Sequence, residues 1–97
     1  MSDVEVTDNS ELHRFEARLD GALAGFAVYR REPGRIVFVH TEVDPAFEGR
    51  GIGGALARQA LDGLRDDGTV QVVAECPFIA AWIQRHPDYQ ELLRPRP

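Results

Sequence analysis

The fold is decided at residues 43–56, where the sequence is VDPAFEGRGIGGAL. Pro45 ends a strand, because proline has no N–H group to donate to a β-ladder. Four of the six positions from Gly49 to Gly54 are glycine, and apolar residues then recur at every fourth position, which is helical spacing. These apolar residues are Ile52, Leu56, Ala60 and Leu64. We therefore predict a strand, a glycine-rich turn and a helix that ends near residues 66–68.

Three strands are predicted upstream of this turn. Polar and apolar residues alternate over residues 12–19, which is typical of a half-buried strand, and an Asp-Gly pair then marks a hairpin turn. Residues 22–30 form the partner strand, with Phe26 and Val28 facing the core. Residues 35–43 are rich in β-branched side chains and form the third strand. The three strands make an antiparallel meander.

The segments after the helix complete an α+β fold. Residues 69–75 are predicted to form a fourth strand, and a strand–helix–strand unit of this length predicts a right-handed parallel crossover. Pro77 suits the first turn of a short C-terminal helix over residues 78–86. The predicted architecture is a mixed sheet, in which an antiparallel meander is followed by a strand–helix–strand crossover and a C-terminal helix. Residues 1–10 are polar and are expected to be disordered.

The composition of the 97-residue chain excludes several classes of protein. Its net charge of −5 makes a poor field for binding nucleic acid. A single cysteine cannot form an internal disulfide, so a reducing, cytoplasmic compartment is expected. The N-terminus lacks the apolar segment of a signal peptide, and the longest nearly uncharged stretch, residues 21–29, is too short to span a membrane. We predict a soluble single domain, a monomer or weak homodimer, with no metal site and no nucleic-acid or membrane partner.

The glycine-rich turn has the properties of an anion-binding site. Glycines let the backbone approach a ligand closely, and the unpaired N–H groups of the first helical turn point towards it. The helix dipole also favours a phosphate at this end. Two alternatives remain open: the glycines allow only a tight strand-to-helix connection, or the G-x-G-x-x-G spacing marks a dinucleotide site. The second alternative is a weak match, because the earlier strands are predicted to be antiparallel and only one crossover is present.

Residues 43–56 resemble the acetyl-CoA-binding signature of the GNAT superfamily of N-acetyltransferases, in which a strand ends in Val-x-Pro and a Gln/Arg-x-x-Gly-x-Gly/Ala turn opens a helix. Residues 76–89 are similar to a miniature subgroup that lacks the N-terminal helices of full-length members. The resemblance covers residues 12–93. It implies a GNAT-like sheet, acetyl-CoA as the cofactor and an unidentified amine as the acceptor.

The resemblance also implies the cofactor-binding residues. The backbone of Val43 would pair with the pantetheine arm, and the thioester would sit where the strands that hold Val43 and Glu75 splay apart. Backbone N–H groups would cradle the pyrophosphate at Arg50, Gly51, Ile52, Gly53 and Gly54. The chain departs from the signature at Glu48, which replaces the usual Gln or Arg, so we expect Glu48 to point away or to hold the loop, and Arg50 to supply the positive charge.

Three residues are candidates for the chemistry of acetyl transfer, which needs a base for the amine proton. His40 suits the base because histidine exchanges a proton near neutral pH, and Glu42 could orient His40 or relay a proton. Alternation predicts that both share a face with Ile36 and Phe38. Cys76 lies at the other side of the splay, where it could carry the acetyl group or protonate the leaving thiolate.

Each candidate also has an ordinary structural explanation: a partly buried histidine, a solvated carboxylate and a buried cysteine. The tyrosine that many superfamily members use as a general acid is absent, since Trp82 and Ile83 stand at that stretch and Tyr89 suits a packing role. Three hypotheses follow. The chain is an N-acetyltransferase that works by direct attack in a ternary complex, a non-catalytic module that binds CoA or acetyl-CoA, or a dinucleotide-binding fragment.

Overall fold

The computed structural model describes residues 4–95, which form one five-stranded sheet and two α-helices. The strands are β1 (Val4–Asn9), β2 (Arg14–Leu19), β3 (Ala22–Glu32), β4 (Arg35–Val43) and β5 (Gln71–Ala74). The helices are α1 (Ile52–Asp67) and α2 (Pro77–Arg85), with short 3-10 helices at Pro45–Phe47 and Pro87–Leu93. Neither α1 nor α2 is long and apolar enough to cross a bilayer, and residues 4–95 contain no other α-helix.

The sheet has the predicted mixed topology. Its strand order is β1-β2-β3-β4-β5, with the first four strands antiparallel to their neighbours and β5 parallel to β4. The predicted strand–helix–strand crossover is therefore confirmed. A dinucleotide-binding half needs three parallel strands, whereas residues 4–95 contain a single parallel pair. The hypothesis of a dinucleotide-binding fragment is therefore wrong.

The N-terminal segment is more ordered than the sequence predicts. Residues 4–9 form β1 and pair with β2 along its whole length, so the expected disorder of residues 1–10 is wrong for this part; residues 1–3 lie outside the described residues. Val4 is buried, and both the nitrogen and the oxygen of the Gln59 side-chain amide form hydrogen bonds with the backbone of β1. The amide nitrogen of Gln59 donates to the Val4 carbonyl at 3.0 Å, and its oxygen accepts from the Val6 N–H at 3.3 Å.

The core lies between one face of the sheet and the two helices. Every residue of the predicted helical stripe is buried, which confirms the periodicity of α1. Helix α2 contributes Ile79, Trp82 and Ile83 to the same core. The strand residues of this core include Phe15, Ala17, Ala27, Tyr29, Ile36, Phe38 and Val72. We call this the helix face of the sheet, and the opposite side, on which neither α1 nor α2 packs, the outer face.

A β-bulge in β4 places some side chains on a different face of the sheet from the one that alternation predicts. Val28 pairs with His40 and Tyr29 with Phe38, which leaves Val39 without a partner in β3. One extra residue moves all following side chains to the other face. Ile36 and Phe38 therefore lie on the helix face, as predicted for the core. His40 and Glu42 do not share that face with them, because they follow the bulge and lie on the outer face.

A second bulge changes the assignment of β3. Ala17 pairs with Gly25 and Arg18 with Leu23, so Ala24 is the extra residue and is buried in the core. The predicted inward orientation of Phe26 and Val28 is consequently wrong. Both are half-buried and lie on the outer face, where Phe26 pairs with Glu42 and Val28 with His40.

Candidate active site

Strands β4 and β5 separate after four paired residues. Their parallel pairing ends at Phe38 and Ala74, and the Phe38 carbonyl then accepts hydrogen bonds from the N–H groups of both Glu75 and Cys76, at 3.0 and 2.9 Å. Beyond this point β4 continues to Val43 with β3 as its partner, while the chain turns into α2. The result is an opening between the last residues of β4 and the start of α2, which we call the gap. The structure thus contains the predicted splay.

The backbone of Val43 faces this gap. The Asp44 N–H donates to the Ala24 carbonyl at 2.8 Å, so the neighbouring pair of Val43 and Gly25 is a non-hydrogen-bonded pair of the ladder. The N–H and carbonyl of Val43 therefore point away from β3. They form a free strand edge to which an extended ligand with amide groups can pair.

The glycine-rich turn presents a row of unpaired donors. Gly49 and Gly51 have φ angles of 78° and 76°, a region that glycine adopts easily. Gly51 caps α1 without a side-chain hydrogen bond, and the first helical bond runs from the Ala55 N–H to the Gly51 carbonyl at 3.0 Å. Within residues 4–95, five N–H groups of the turn have no acceptor. They belong to Gly49, Gly51, Ile52, Gly53 and Gly54.

Arg50 differs from the other predicted donors. Its backbone N–H already donates to the Phe47 carbonyl at 3.2 Å, so it does not belong to the row of unpaired donors, whereas the N–H of Gly49, which the sequence did not indicate, does. The side chains of Glu48 and Arg50 make no hydrogen bond or ion pair with any described residue. Glu48 therefore does not hold the loop, and Arg50 is free to meet an anion. No acidic residue lies in the first turn of α1.

The catalytic candidates fall into two groups on opposite faces of β4. His40 Nε2 lies 3.3 Å from Glu42 Oε1 on the outer face, and the two side chains are 57% and 59% exposed. Cys76 belongs to the core on the helix face and is 3% exposed. Its Sγ lies 3.3 Å from the Oγ1 of Thr41, a contact across the gap that the sequence did not indicate. The structure thus pairs His40 with Glu42 and separates both from Cys76.

One cavity lies beside the glycine-rich turn, and another lies beside Glu42. One, of about 430 Å³, lies beside the glycine-rich turn between α1 and α2. Its lining comprises Gly51, Gly54, Ala55, Arg58, Gln59, Trp82 and His86. The other, of about 270 Å³, lies at the start of β3 and the end of β4 and includes Phe26, Glu42 and Asp44 in its lining. The first offers an arginine and a histidine beside the unpaired N–H groups, and the second adjoins the His40–Glu42 pair.

The aromatic residues near the C-terminus serve packing. Trp82 is buried, and the ring of His86 stacks on it with centroids 3.8 Å apart. Tyr89 packs edge-on against Trp82, and its hydroxyl donates to Asp62 at 2.5 Å. This hydrogen bond and burial raise the pKa of Tyr89 above its ordinary value, so the phenol stays protonated. Tyr89 therefore links α1 to the C-terminal segment, in agreement with its predicted packing role.

Residues 14–92 match the family model described as GCN5-related N-acetyl-transferase. Because the match spans most of the chain, the protein belongs to the GCN5-related N-acetyltransferase family, the GNAT family that residues 43–56 resemble. No protein of curated function matches the chain by sequence.

Solved structures show the same fold. A GCN5-like protein from Staphylococcus aureus has a TM-score of 0.69 at 21% identity, with 95% of this chain and 89% of that one covered. The ribosomal-protein-S18-alanine N-acetyltransferase from Escherichia coli has a TM-score of 0.55 at 25% identity over 61% of this chain. A ribosomal-protein-alanine N-acetyltransferase from Brucella melitensis biovar Abortus 2308 has a TM-score of 0.55 at 27% identity over 66% of it. These matches span only 38% and 49% of the two named enzymes.

Proposed function

We propose that the protein is an acetyl-CoA-dependent N-acetyltransferase that transfers the acetyl group directly to an amine in a ternary complex. One observation carries the proposal: the row of unpaired N–H groups at the start of α1 adjoins a gap in the sheet whose edge is the free backbone of Val43. Such a row binds a diphosphate, and such an edge pairs with an amide-bearing chain. CoA contains both groups in sequence.

The residues of the turn fit this ligand. A Cβ at Gly49 or Gly51 would meet no atom within 4 Å, so both positions open on free space, and the Arg50 side chain can add a positive charge. Arg58 and His86 line the cavity beside the turn and would bind further phosphate of the nucleotide. Bound acetyl-CoA supplies the activated acetyl group, while the backbone of Val43 aligns the pantetheine arm.

His40 is the proposed base. Its Nε2 faces Glu42, whereas Nδ1 has no partner among the described residues, so Nδ1 is the atom that can take a proton from the amine. Glu42 then stabilises the positive ring and keeps its orientation. Both side chains are more than half exposed on the outer face, which leaves room for an acceptor to approach from that side.

Cys76 is the proposed proton donor to the leaving thiolate. Its thiol borders the gap and has Thr41 as a hydrogen-bonding neighbour that can orient it. A second role stays open, in which Cys76 accepts the acetyl group and passes it to the amine. The two roles differ in their products, because only the second leaves an acetylated protein when no amine is present.

The alternative function is a non-catalytic module that binds CoA or acetyl-CoA. It is favoured by the position of Cys76, which lies on the opposite face of β4 from His40 and Glu42. This module would bind acetyl-CoA through the same turn and would be indifferent to substitution of His40 or Cys76.

The first experiment is calorimetric titration with acetyl-CoA, with NAD as the control ligand, followed by assays of acetyl transfer to a panel of small amines, lysine peptides and peptide N-termini. Binding of acetyl-CoA but not NAD, with turnover on at least one amine, supports the enzyme. Binding without turnover on any acceptor supports the module. No binding of acetyl-CoA overturns both.

A further inference from the structure

Phe78 is an exposed aromatic residue at the point where the two helices begin. It is the second residue of α2 and follows Cys76 by two positions. The next residue, Ile79, is buried in the core and fixes the helix, whereas Phe78 is 37% exposed. Its ring is directed at the first turn of α1 instead of the core.

The ring of Phe78 lies directly against Gly53. A Cβ at Gly53 would be 2.8 Å from Cζ of Phe78 and 3.4 and 3.5 Å from its two Cε atoms, so only a hydrogen atom fits between them. Unlike Gly49 and Gly51, Gly53 has no positive φ angle. Its glycine is therefore explained by close approach of the aromatic ring and not by backbone conformation.

This contact joins the two halves of the candidate site. Gly53 contributes one of the unpaired N–H groups of the glycine-rich turn. On the other side, the segment before Phe78 is attached to β4, because the Cys76 N–H donates to the Phe38 carbonyl and its Sγ adjoins Thr41. The ring therefore connects the donors for the diphosphate to the residues that border the gap.

We propose that Phe78 is a positioning residue that holds the glycine-rich turn at a set distance from Cys76 and Thr41, so that one ligand can reach both. This inference rests on the proposed function, in which acetyl-CoA binds the turn and the gap together. Phe78 acts through Gly53 and has no part in the chemical step. Its removal should lower the affinity for a ligand that must contact the turn and the gap at the same time.

Two ligands separate this role from simple packing. Acetyl-CoA spans the turn and the gap, whereas ADP carries the diphosphate without the pantetheine arm. In Phe78→Ala we expect acetyl-CoA affinity to fall about tenfold while ADP affinity changes less than about twofold, because the cradle itself is intact. Leu93→Ala is the matched control, since Leu93 is a 40% exposed apolar residue in the C-terminal 3-10 helix. It should change neither affinity.

The double variant tests the contact itself. Gly53→Ala forces the ring to move and should also weaken acetyl-CoA binding, but in the Phe78→Ala background it should add little, because the clash is gone. Phe78→Leu keeps apolar bulk and should retain more affinity than Phe78→Ala. Titrations are run well below each midpoint of thermal unfolding.

The outcomes separate this inference from the proposed function. Equal loss of acetyl-CoA and ADP affinity in Phe78→Ala, unchanged acetyl-CoA affinity in that variant, or additive effects of the two substitutions would overturn the positioning role alone. Failure of the unmodified protein to bind acetyl-CoA would overturn the proposed function and the positioning role together.

Discussion

The two faces of β4 give neighbouring residues contrasting environments. On the helix face, Thr41 meets a cysteine that is 3% exposed, in the closed environment of the core. On the outer face, His40 and Glu42 form a pair whose side chains are more than half exposed. Because water screens the outer pair, the electrostatic coupling between its two side chains is weak. Under the proposed function, the amine would lose its proton on the exposed outer face, and the leaving thiolate would gain a proton on the buried helix face.

The largest expected effect concerns the glycine-rich turn, which is proposed to bind the diphosphate of acetyl-CoA. Gly51→Asp places a carboxylate at the start of α1, and we expect acetyl-CoA affinity to fall by about a hundredfold or more, because the charge repels the diphosphate. The matched control is Gly34→Asp, since Gly34 also has a positive φ angle and free space around its Cα, but lies in a distant hairpin. Calorimetric titration of both variants separates ligand repulsion from backbone strain. Equal binding by the two variants would remove the turn from the site.

The next effect tests the outer face. His40→Ala should lower kcat by about a hundredfold with little change in acetyl-CoA affinity, because it removes the base and leaves the cradle intact. Glu42→Gln should have a much smaller effect, since the pair is exposed. Steady-state kinetics over a range of pH provide the measurement. Full activity in His40→Ala would assign the base elsewhere.

The helix face is tested by a smaller effect. Cys76→Ala should lower kcat by about tenfold, because solvent can partly replace a missing proton donor. Incubation with acetyl-CoA alone, followed by mass spectrometry of the intact protein, distinguishes a donor from an acetyl carrier. An acetylated species that is absent in Cys76→Ala would show that the thiol accepts the acetyl group and would favour transfer through Cys76 over direct attack on the thioester.

The smallest effect concerns the stability of the outer face. Glu16 is a buried carboxylate on that face, with Arg14 Nε at 2.8 Å and Arg18 Nη2 at 3.2 Å. The hydrogen bond from Arg14 lowers the pKa of Glu16 in the folded state, with further contributions from Asn9 and Arg18, although burial opposes the shift. A lowered pKa stabilises the fold above the pKa of the unfolded chain, and this contribution is lost as the pH falls through the folded pKa.

Glu16→Gln should therefore reduce the free energy of unfolding by about 1 kcal/mol at neutral pH, and by progressively less below about pH 4.3. Urea unfolding at several pH values measures the difference. Glu11→Gln is the control, because Glu11 is exposed. A difference from the unmodified protein that stays constant from neutral to acid pH would show that the charge of Glu16 contributes nothing.

Periodicity predicted the parts of the fold that have a strong repeating signal. The four-residue spacing of apolar side chains identified α1, and the position of the turn between a strand and a helix identified the crossover. Strand β1 gave a weak signal, because only Val4 and Val6 of its six residues are apolar and its order depends on a distant partner, Gln59. Such a contact is invisible in local sequence.

The sequence predicted where the glycine-rich turn lies, but it did not predict how the residues around the turn are arranged. The glycines marked the turn, yet a run of glycines does not reveal that Gly51 serves conformation and Gly53 serves contact with Phe78. Thr41 carries no motif, and its proximity to Cys76 follows from the separation of two strands. Alternation placed His40 and Glu42 on the wrong face, because the bulge at Val39 depends on pairing with β3, which no pattern in β4 alone records.

That bulge has a consequence for how β4 tolerates change. The three residues before it, Ile36, Val37 and Phe38, are almost fully buried, whereas the side chains of His40 and Glu42 after it are exposed on the outer face. A single extra residue thus divides the strand into a buried segment before the bulge and a segment after it in which exposed and partly buried side chains alternate. Deleting Val39 would remove the bulge and place His40 directly after Phe38, so His40 and Glu42 would stay on the outer face and Thr41 on the helix face. The pairing with β3, and not the position of a residue in the sequence of β4, therefore decides which side chains the outer face displays.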